Sequence, residues 1–412
     1  MVTFRKFFTL IQDRREKVVV LLLIIIVIYS ITNSSFLQMS LQKVNPRFHT
    51  MVTNTLPVEL AWSYNTREII KVPPQVNSKV IVLLRGDRVL TALDIQTGDV
   101  RWEYNLGANI GLPESKFVYF LDEERLVITI NNAQLLALNV ENGEKIWQRD
   151  MSSSTAPTPN IMFVGDSIIV SAFSATPSTE GYIASYQLDN GDFTAHMFFP
   201  SRTFEYQFPC PHLLEHGDSG KQMVCVTLYD RLLAIDSGER LNVVKTYLGS
   251  FYSLDIPYYQ NGLIFTNPSP NPSPQVFDTG KNRGFALPTY CAKDNTSHPI
   301  TSNGDLILVS TGCDELYAMN INHLEQEPSW IFTSESGIYS SLVTVNGAIG
   351  YALNAKGEIV GINLTTGEEI GRVMTEPDQL GRGQFRNSLT VHAPYLYALM
   401  DGNTLLAFKH KP

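Results

Sequence analysis

From residue 57 to the C-terminus, short apolar blocks alternate with polar clusters at a steady pace. The blocks "KVIVLL", "RLVITI", "SIIVSAF", "MVCVTL", "GLIFT", "DLILVS", "AIGYAL" and "YLYALM" are rich in β-branched and aromatic residues, which favour strands over helices. Turn residues follow each block, among them Arg85-Gly86-Asp87, Asn131-Asn132 and Ala355-Lys356-Gly357. A second apolar strand comes next and ends in a polar knuckle, and a more polar strand follows the knuckle.

The knuckle is the clearest repeated feature. "ALDIQTGDVRW" runs from Ala92 to Trp102, and "LLALNVENGEKIW" ends at Trp147. Weaker copies end at Ala195, Asn242, Gly284, Trp330 and Gly371, and a truncated "TLLAFKH" closes the chain. Knuckle glycines stand at Gly98, Gly143, Gly191, Gly238, Gly280 and Gly367, with "NHLEQEP" where one is expected near residue 324. The period is about 45 residues, that of a four-stranded propeller blade. A lone four-stranded sheet with two apolar faces cannot bury both, whereas sheets stacked around an axis can.

The broken ends set the expected blade count. The last copy stops before any knuckle, and "VELAWSYN" near residue 58 carries Trp62 with no knuckle before it. If Val58 to Asn65 completes the final sheet, residues 57–412 divide into eight blades and the ring closes without free edges. All four tryptophans, Trp62, Trp102, Trp147 and Trp330, then occupy one equivalent site with Gly98, Gly143 and Gly367 at the turns. A Trp four residues beyond a turn is expected to dock blades together by lying across the preceding one, its indole N–H reaching a backbone acceptor. Asp94, Asn139, Asp236, Asn320 and Asn363, just ahead of the knuckles, are expected to cap the turns.

The string A-x-D/N-x-x-T/N-G-x-x-x-W resembles the PQQ-like repeat of the quinoprotein propeller superfamily over about residues 57–412. That superfamily includes quinone-dependent alcohol dehydrogenases and non-enzymatic BamB-type scaffolds. The resemblance therefore implies an all-β, eight-bladed propeller closed by an N-terminal strand, and it leaves the chemistry to particular residues. Quinone enzymes of this kind carry adjacent cysteines, an Asp base, calcium ligands and a Trp floor. This chain has no Cys-Cys pair, and its four Trp are committed to the docking position. No cofactor is expected, with PQQ plus calcium as the alternative, and no catalytic or metal-ligating residues are assigned.

Other chemical signals are sparse. "HLLEH" at His212–His216 matches H-x-x-E-H, but Pro before it and Gly-Asp-Ser-Gly after it leave room for one helical turn, so it reads as a surface loop. His196 and His298 are isolated, and there is no nucleophile elbow or phosphate loop. The insertions "FSATPSTEGY" and "NPSPNPSPQ", with the loop "LGANIGLPESK", elaborate one rim with stiff segments suited to contact.

Composition narrows the class. At 44% hydrophobic and 17% charged, the chain can bury a large core. A net charge of -9 disfavours a phosphate-backbone partner, so nucleic acid is excluded as a main role. Cys210, Cys225, Cys291 and Cys313 allow two disulfides, Cys210/Cys225 and Cys291/Cys313 being the local pairs, or four buried thiols. Before the repeats, "VVVLLLIIIVI" at Val18–Ile28 follows a basic segment. An uncleaved helix over 18–37, after a cytoplasmic segment 1–17 and before a linker 38–56, or a cleaved signal both satisfy this pattern. The basic flank then predicts a single-pass membrane protein with its propeller outside the cytoplasm. The expected function is a non-catalytic scaffold that binds a protein or envelope polymer through one propeller face, with a quinone-dependent oxidoreductase or small-molecule binding in the central channel as the alternative.

Overall fold

The computed structural model describes residues 51–70, 72–107, 119–130, 134–151, 155–174, 181–199, 204–209, 223–228, 231–236, 241–248, 258–260, 263–266, 275–287, 301–303, 305–310, 315–334, 343–344, 347–354, 356–375 and 385–411. Every regular element among them is a β-strand. The expected single-pass topology is corrected here, because no helix among the described residues is long and apolar enough to cross a membrane. The apolar run at 18–28 that suggested it lies outside those residues.

The described strands assemble into eight antiparallel sheets, numbered I to VIII in chain order. Sheet I contains Gln75–Val76, Val80–Leu84, Val89–Asp94 and Val100–Asn105, hydrogen-bonded in sequence order. Sheets II to VI repeat this plan over 119–150, 155–199, 204–248, 258–286 and 301–333. Sheet VII covers 343–375 and sheet VIII covers 385–410, and each gains a strand from the N-terminal side.

Both faces of the inner strands are buried, which explains why the blocks read as continuous apolar runs. In Val80–Leu84, Val80, Val82 and Leu84 pack against sheet II. Ile81 and Leu83 point the other way, into a core shared with Tyr397, Leu399 and Leu405 of sheet VIII. Similar shared cores join II with III, V with VI, VI with VII and VII with VIII. First strands of neighbouring sheets also meet, from I through V and from VII through VIII to I. Sheets I to V, VII and VIII thus gather their first strands on one side.

Fourth strands are different in kind. In Lys145–Asp150 and Val100–Asn105 the tryptophan is the buried side chain and its neighbours are exposed or half-buried. This outer layer is polar because it meets a neighbouring sheet only at one point.

Val58–Asn65 pairs with Thr404–His410 in sheet VIII, placing Leu60 opposite Phe408 and Trp62 opposite Ala407. The preceding residues depart from the expected linker. Met51–Asn54 forms a fifth strand on the outer edge of sheet VII, opposite Val373–Thr375. Thr55 then bonds the Arg372 backbone in both directions, its N–H to the Arg372 carbonyl at 3.0 Å and its Oγ1 accepting from the Arg372 N–H at 2.8 Å. Leu56 is buried between sheets VII and VIII. Cys225, fully buried in Met223–Leu228, is disulfide-bonded; the other three cysteines, its partner among them, lie outside the described residues.

Candidate functional site

The repeated tryptophans are set by a local backbone device. After the knuckle turn of sheet I the pairing register shifts by one residue, so that Leu93 faces Val100 but Ala92 faces Trp102. Such a bulge re-aims the side chain that follows it. The same shift precedes Trp147 and Trp62. Each indole is at least nine-tenths buried and donates to a backbone carbonyl of the next sheet. Trp62 reaches Ile95 at 3.0 Å, Trp102 reaches Val140 at 2.7 Å, Trp147 reaches Leu188 at 3.1 Å and Trp330 reaches Leu364 at 2.9 Å.

The ring lies on the knuckle glycine of that same next sheet. A Cβ on Gly98 would stand 2.6 Å from Trp62, on Gly143 2.7 Å from Trp102, on Gly191 2.6 Å from Trp147 and on Gly367 2.7 Å from Trp330. These glycines also have φ between +70° and +76°, so both conformation and space require them. The docking direction differs from the one read in the sequence, since each Trp lies on the following sheet. Spacing within a repeat gives the offset from a turn but not the neighbour that receives the ring.

Two positions are also reassigned. In sheet IV Lys245 rather than Asn242 stands opposite Ala234. Sheet V lacks the bulge, so Phe285 rather than Gly284 faces Val276 at the tryptophan register. Ala195 and Gly371 do hold that register in sheets III and VII.

The acidic and amide residues ahead of the knuckles cap the turns. Asp94 Oδ1 accepts the N–H groups of Gln96 and Thr97 at 2.8 and 3.0 Å, and Asn363 Oδ1 accepts those of Thr365 and Thr366. Asn139 and Asn320 make equivalent bonds. Burial alone would raise the Asp94 pKa, but Arg101 and the two turn amides outweigh it and hold the carboxyl below its usual range. Asp236 has its knuckle outside the described residues. These groups are occupied by structure and do not converge.

No group of three His, Cys, Asp or Glu able to hold a metal occurs among the described residues. "HLLEH", His298, and most of the three rim loops lie outside them, and His196 is an exposed strand residue beside Phe193. The described residues supply no free tryptophan as the floor of a quinone site. All four tryptophans have their indole N–H committed to backbone carbonyls at sheet junctions, leaving none to form the floor of such a site. The buried, bonded Cys225 sits within a strand, away from any adjacent cysteine.

A cleft lies between sheets V and VI, a junction without a docked tryptophan. It has a volume of about 510 Å³ and is lined by Leu263, Phe285, Ile321 and Leu324 on its apolar side, with Arg283 and Glu325 among its charged residues. Asp278 and Lys281, also in the lining, pair at 3.1 Å. Here the turn of sheet VI carries the buried Leu324 where other turns carry glycine.

Comparison with known proteins fits this architecture. Residues 53–193 match the family described as outer membrane protein assembly factor BamB. The BamB protein of Salmonella typhimurium is 27% identical over 132 residues, covering 32% of this chain and 30% of that protein. The Escherichia coli protein of the same name is 25% identical over 133 residues, with the same coverage. The chain therefore aligns with under a third of the length of these relatives. Among solved structures, BamB from Moraxella catarrhalis has a TM-score of 0.56 at 16% identity, covering 85% of this chain and 99% of that one. Quinohemoprotein alcohol dehydrogenase from Comamonas testosteroni has a TM-score of 0.61 at 13% identity, covering 88% and 78%. At these identities the structural likeness shows the fold alone.

Proposed function

We propose, from the premise that this chain is built of PQQ-like propeller repeats similar to those of BamB, that it is a non-catalytic scaffold which binds protein partners during assembly of the cell envelope. The sheets are read as eight blades of one propeller, closed where Val58–Asn65 joins Thr404–His410. The observation that carries the proposal is the sequence match of residues 53–193 to an outer membrane assembly factor. At 13% identity, likeness to the dehydrogenase speaks for the fold alone. A polypeptide partner is favoured over an envelope polymer by the same match.

The test is affinity capture of the full chain from solubilised envelopes, with and without exchange of the rim loops. Stoichiometric capture of an envelope protein, weakened by loop exchange, is expected. Absence of a stoichiometric partner for every form would defeat the scaffold reading. The quinone alternative has its own readout: a one-to-one absorbance change when PQQ and Ca²⁺ are titrated into the protein would replace a scaffold with an oxidoreductase.

A further inference from the structure

We infer that the cleft between sheets V and VI receives a tryptophan carried on an extended segment of a partner polypeptide, which lies along the edge strand Arg283–Ala286. This rests on the protein-binding reading and gives it a place on the molecule.

Four other junctions show what the cleft is shaped to hold. In each, an indole N–H meets the carbonyl of the residue just after the strand that precedes the knuckle: Ile95, Val140, Leu188 or Leu364. Ile321 is the corresponding residue of sheet VI. It is buried, it lines the cleft, and among the described residues no donor meets its carbonyl. A buried acceptor left in this state favours a ligand that brings an N–H. Phe285, at the tryptophan register, is smaller, lacks a donor and is only partly buried. Phe285 and Leu324 line the cleft where the other junctions have tryptophan and glycine.

The chain itself shows how a segment enters such a junction. Sheet VII has Gly371 at the tryptophan register, and its outer edge is taken by Met51–Asn54. That added strand delivers Leu56 into the core between sheets VII and VIII, beside Gly361. Sheet V offers a comparable edge without an added strand among the described residues, because Arg283–Ala286 is last in its sheet order. Its Gly284 is exposed, and a Cβ there would meet nothing closer than Phe277 at 3.6 Å. A partner backbone has free approach, and main-chain pairing along a sheet edge is an established mode of peptide capture. The volume exceeds that of one side chain and falls in the range of ligand sites. With the Asp278–Lys281 pair neutralised internally, and Arg283 and Glu325 offsetting each other, the lining suits an apolar insert without selecting for charge.

The probe is the acetylated and amidated peptide EKIWQRD, which copies Glu144–Asp150 and so carries a tryptophan in its docking context. It is labelled and titrated with the full chain, and anisotropy is followed. Saturable binding is expected, weakened at least tenfold when the peptide's Trp is replaced by Ala. Phe285→Trp combined with Leu324→Gly rebuilds the socket seen at the other junctions. This double variant should lose the peptide at least tenfold while its thermal midpoint rises. Ala286→Glu, on the exposed rim, should weaken binding with no change in midpoint, which separates blockage from misfolding. The inference is overturned by unsaturable binding to the wild type, by equal binding of the Ala peptide, or by undiminished binding to both variants. If the double variant still captures its envelope partner in full, the scaffold stands and this site falls.

Discussion

Glycine and tryptophan at each knuckle act as one unit. Gly143→Ala would force a Cβ into the Trp102 ring at 2.7 Å while holding φ at +72°. We expect a loss of about 2–3 kcal/mol, measured as a lower urea midpoint with unchanged slope. Trp102→Phe keeps much of the apolar contact but leaves the Val140 carbonyl without its donor, and should cost about 1–3 kcal/mol. Ionisable groups add a pH signature. Tyr351 is fully buried, its hydroxyl has no partner, and burial pushes its pKa up to about 12. Because folding raises this pKa, the stability it contributes is whole below pH ~10 and is lost as pH climbs through the folded value. Urea midpoints between pH 9 and 11.5 should therefore fall, and Tyr351→Phe should fall less. Asp94 has the opposite sign. Its pKa is depressed on folding, so its contribution holds above the unfolded value near 4 and disappears as pH drops further. Asp94→Asn should flatten the acid limb of the same series.

At the scale of strands and sheets, the edge addition on sheet VII is the least regular feature and the least legible one. "MVTN" has no periodicity that names its partner, and the strand it joins lies over three hundred residues away, with Met51 opposite Thr375. The tryptophan offset, by contrast, was readable because a turn glycine and a bulge are local. Where the pairing departs from that offset, as in sheet IV, or the bulge is missing, as in sheet V, counting from glycine picks the wrong neighbour. The buried Leu324 breaks the motif for the same local reason that it alters the junction. A direct check on the added strand is available at Gly371, whose φ is +154° and whose hypothetical Cβ lies 2.6 to 2.8 Å from Thr55. Gly371→Ala should displace Met51–Asn54, seen as faster amide exchange over residues 51–56 and no change in sheets I to III.

For the molecule as a whole, the apolar blocks and their period were enough to expect stacked four-stranded sheets, because sheets buried on both faces leave that signature. The sequence carries no comparable signature for where the chain sits relative to a membrane, since an apolar run is shared by anchors and signals. Removing residues 51–65 offers a test at this scale. Thr404–His410, which keeps Leu405, Leu406, Ala407 and Phe408 buried beneath Val58–Asn65, would become an unpaired apolar edge. We expect loss of a single cooperative calorimetric transition and oligomers by size-exclusion chromatography.

The side-chain bond from Asn65 to Thr404 spans 339 positions at 2.6 Å. During synthesis, Val58–Asn65 emerges more than three hundred residues ahead of Thr404–His410 and has no lasting hydrogen-bonding mate until that strand appears. Contacts of such separation form late. A nascent chain halted between the two strands keeps the earlier one unmatched, so the order of translation itself imposes a wait on this pairing.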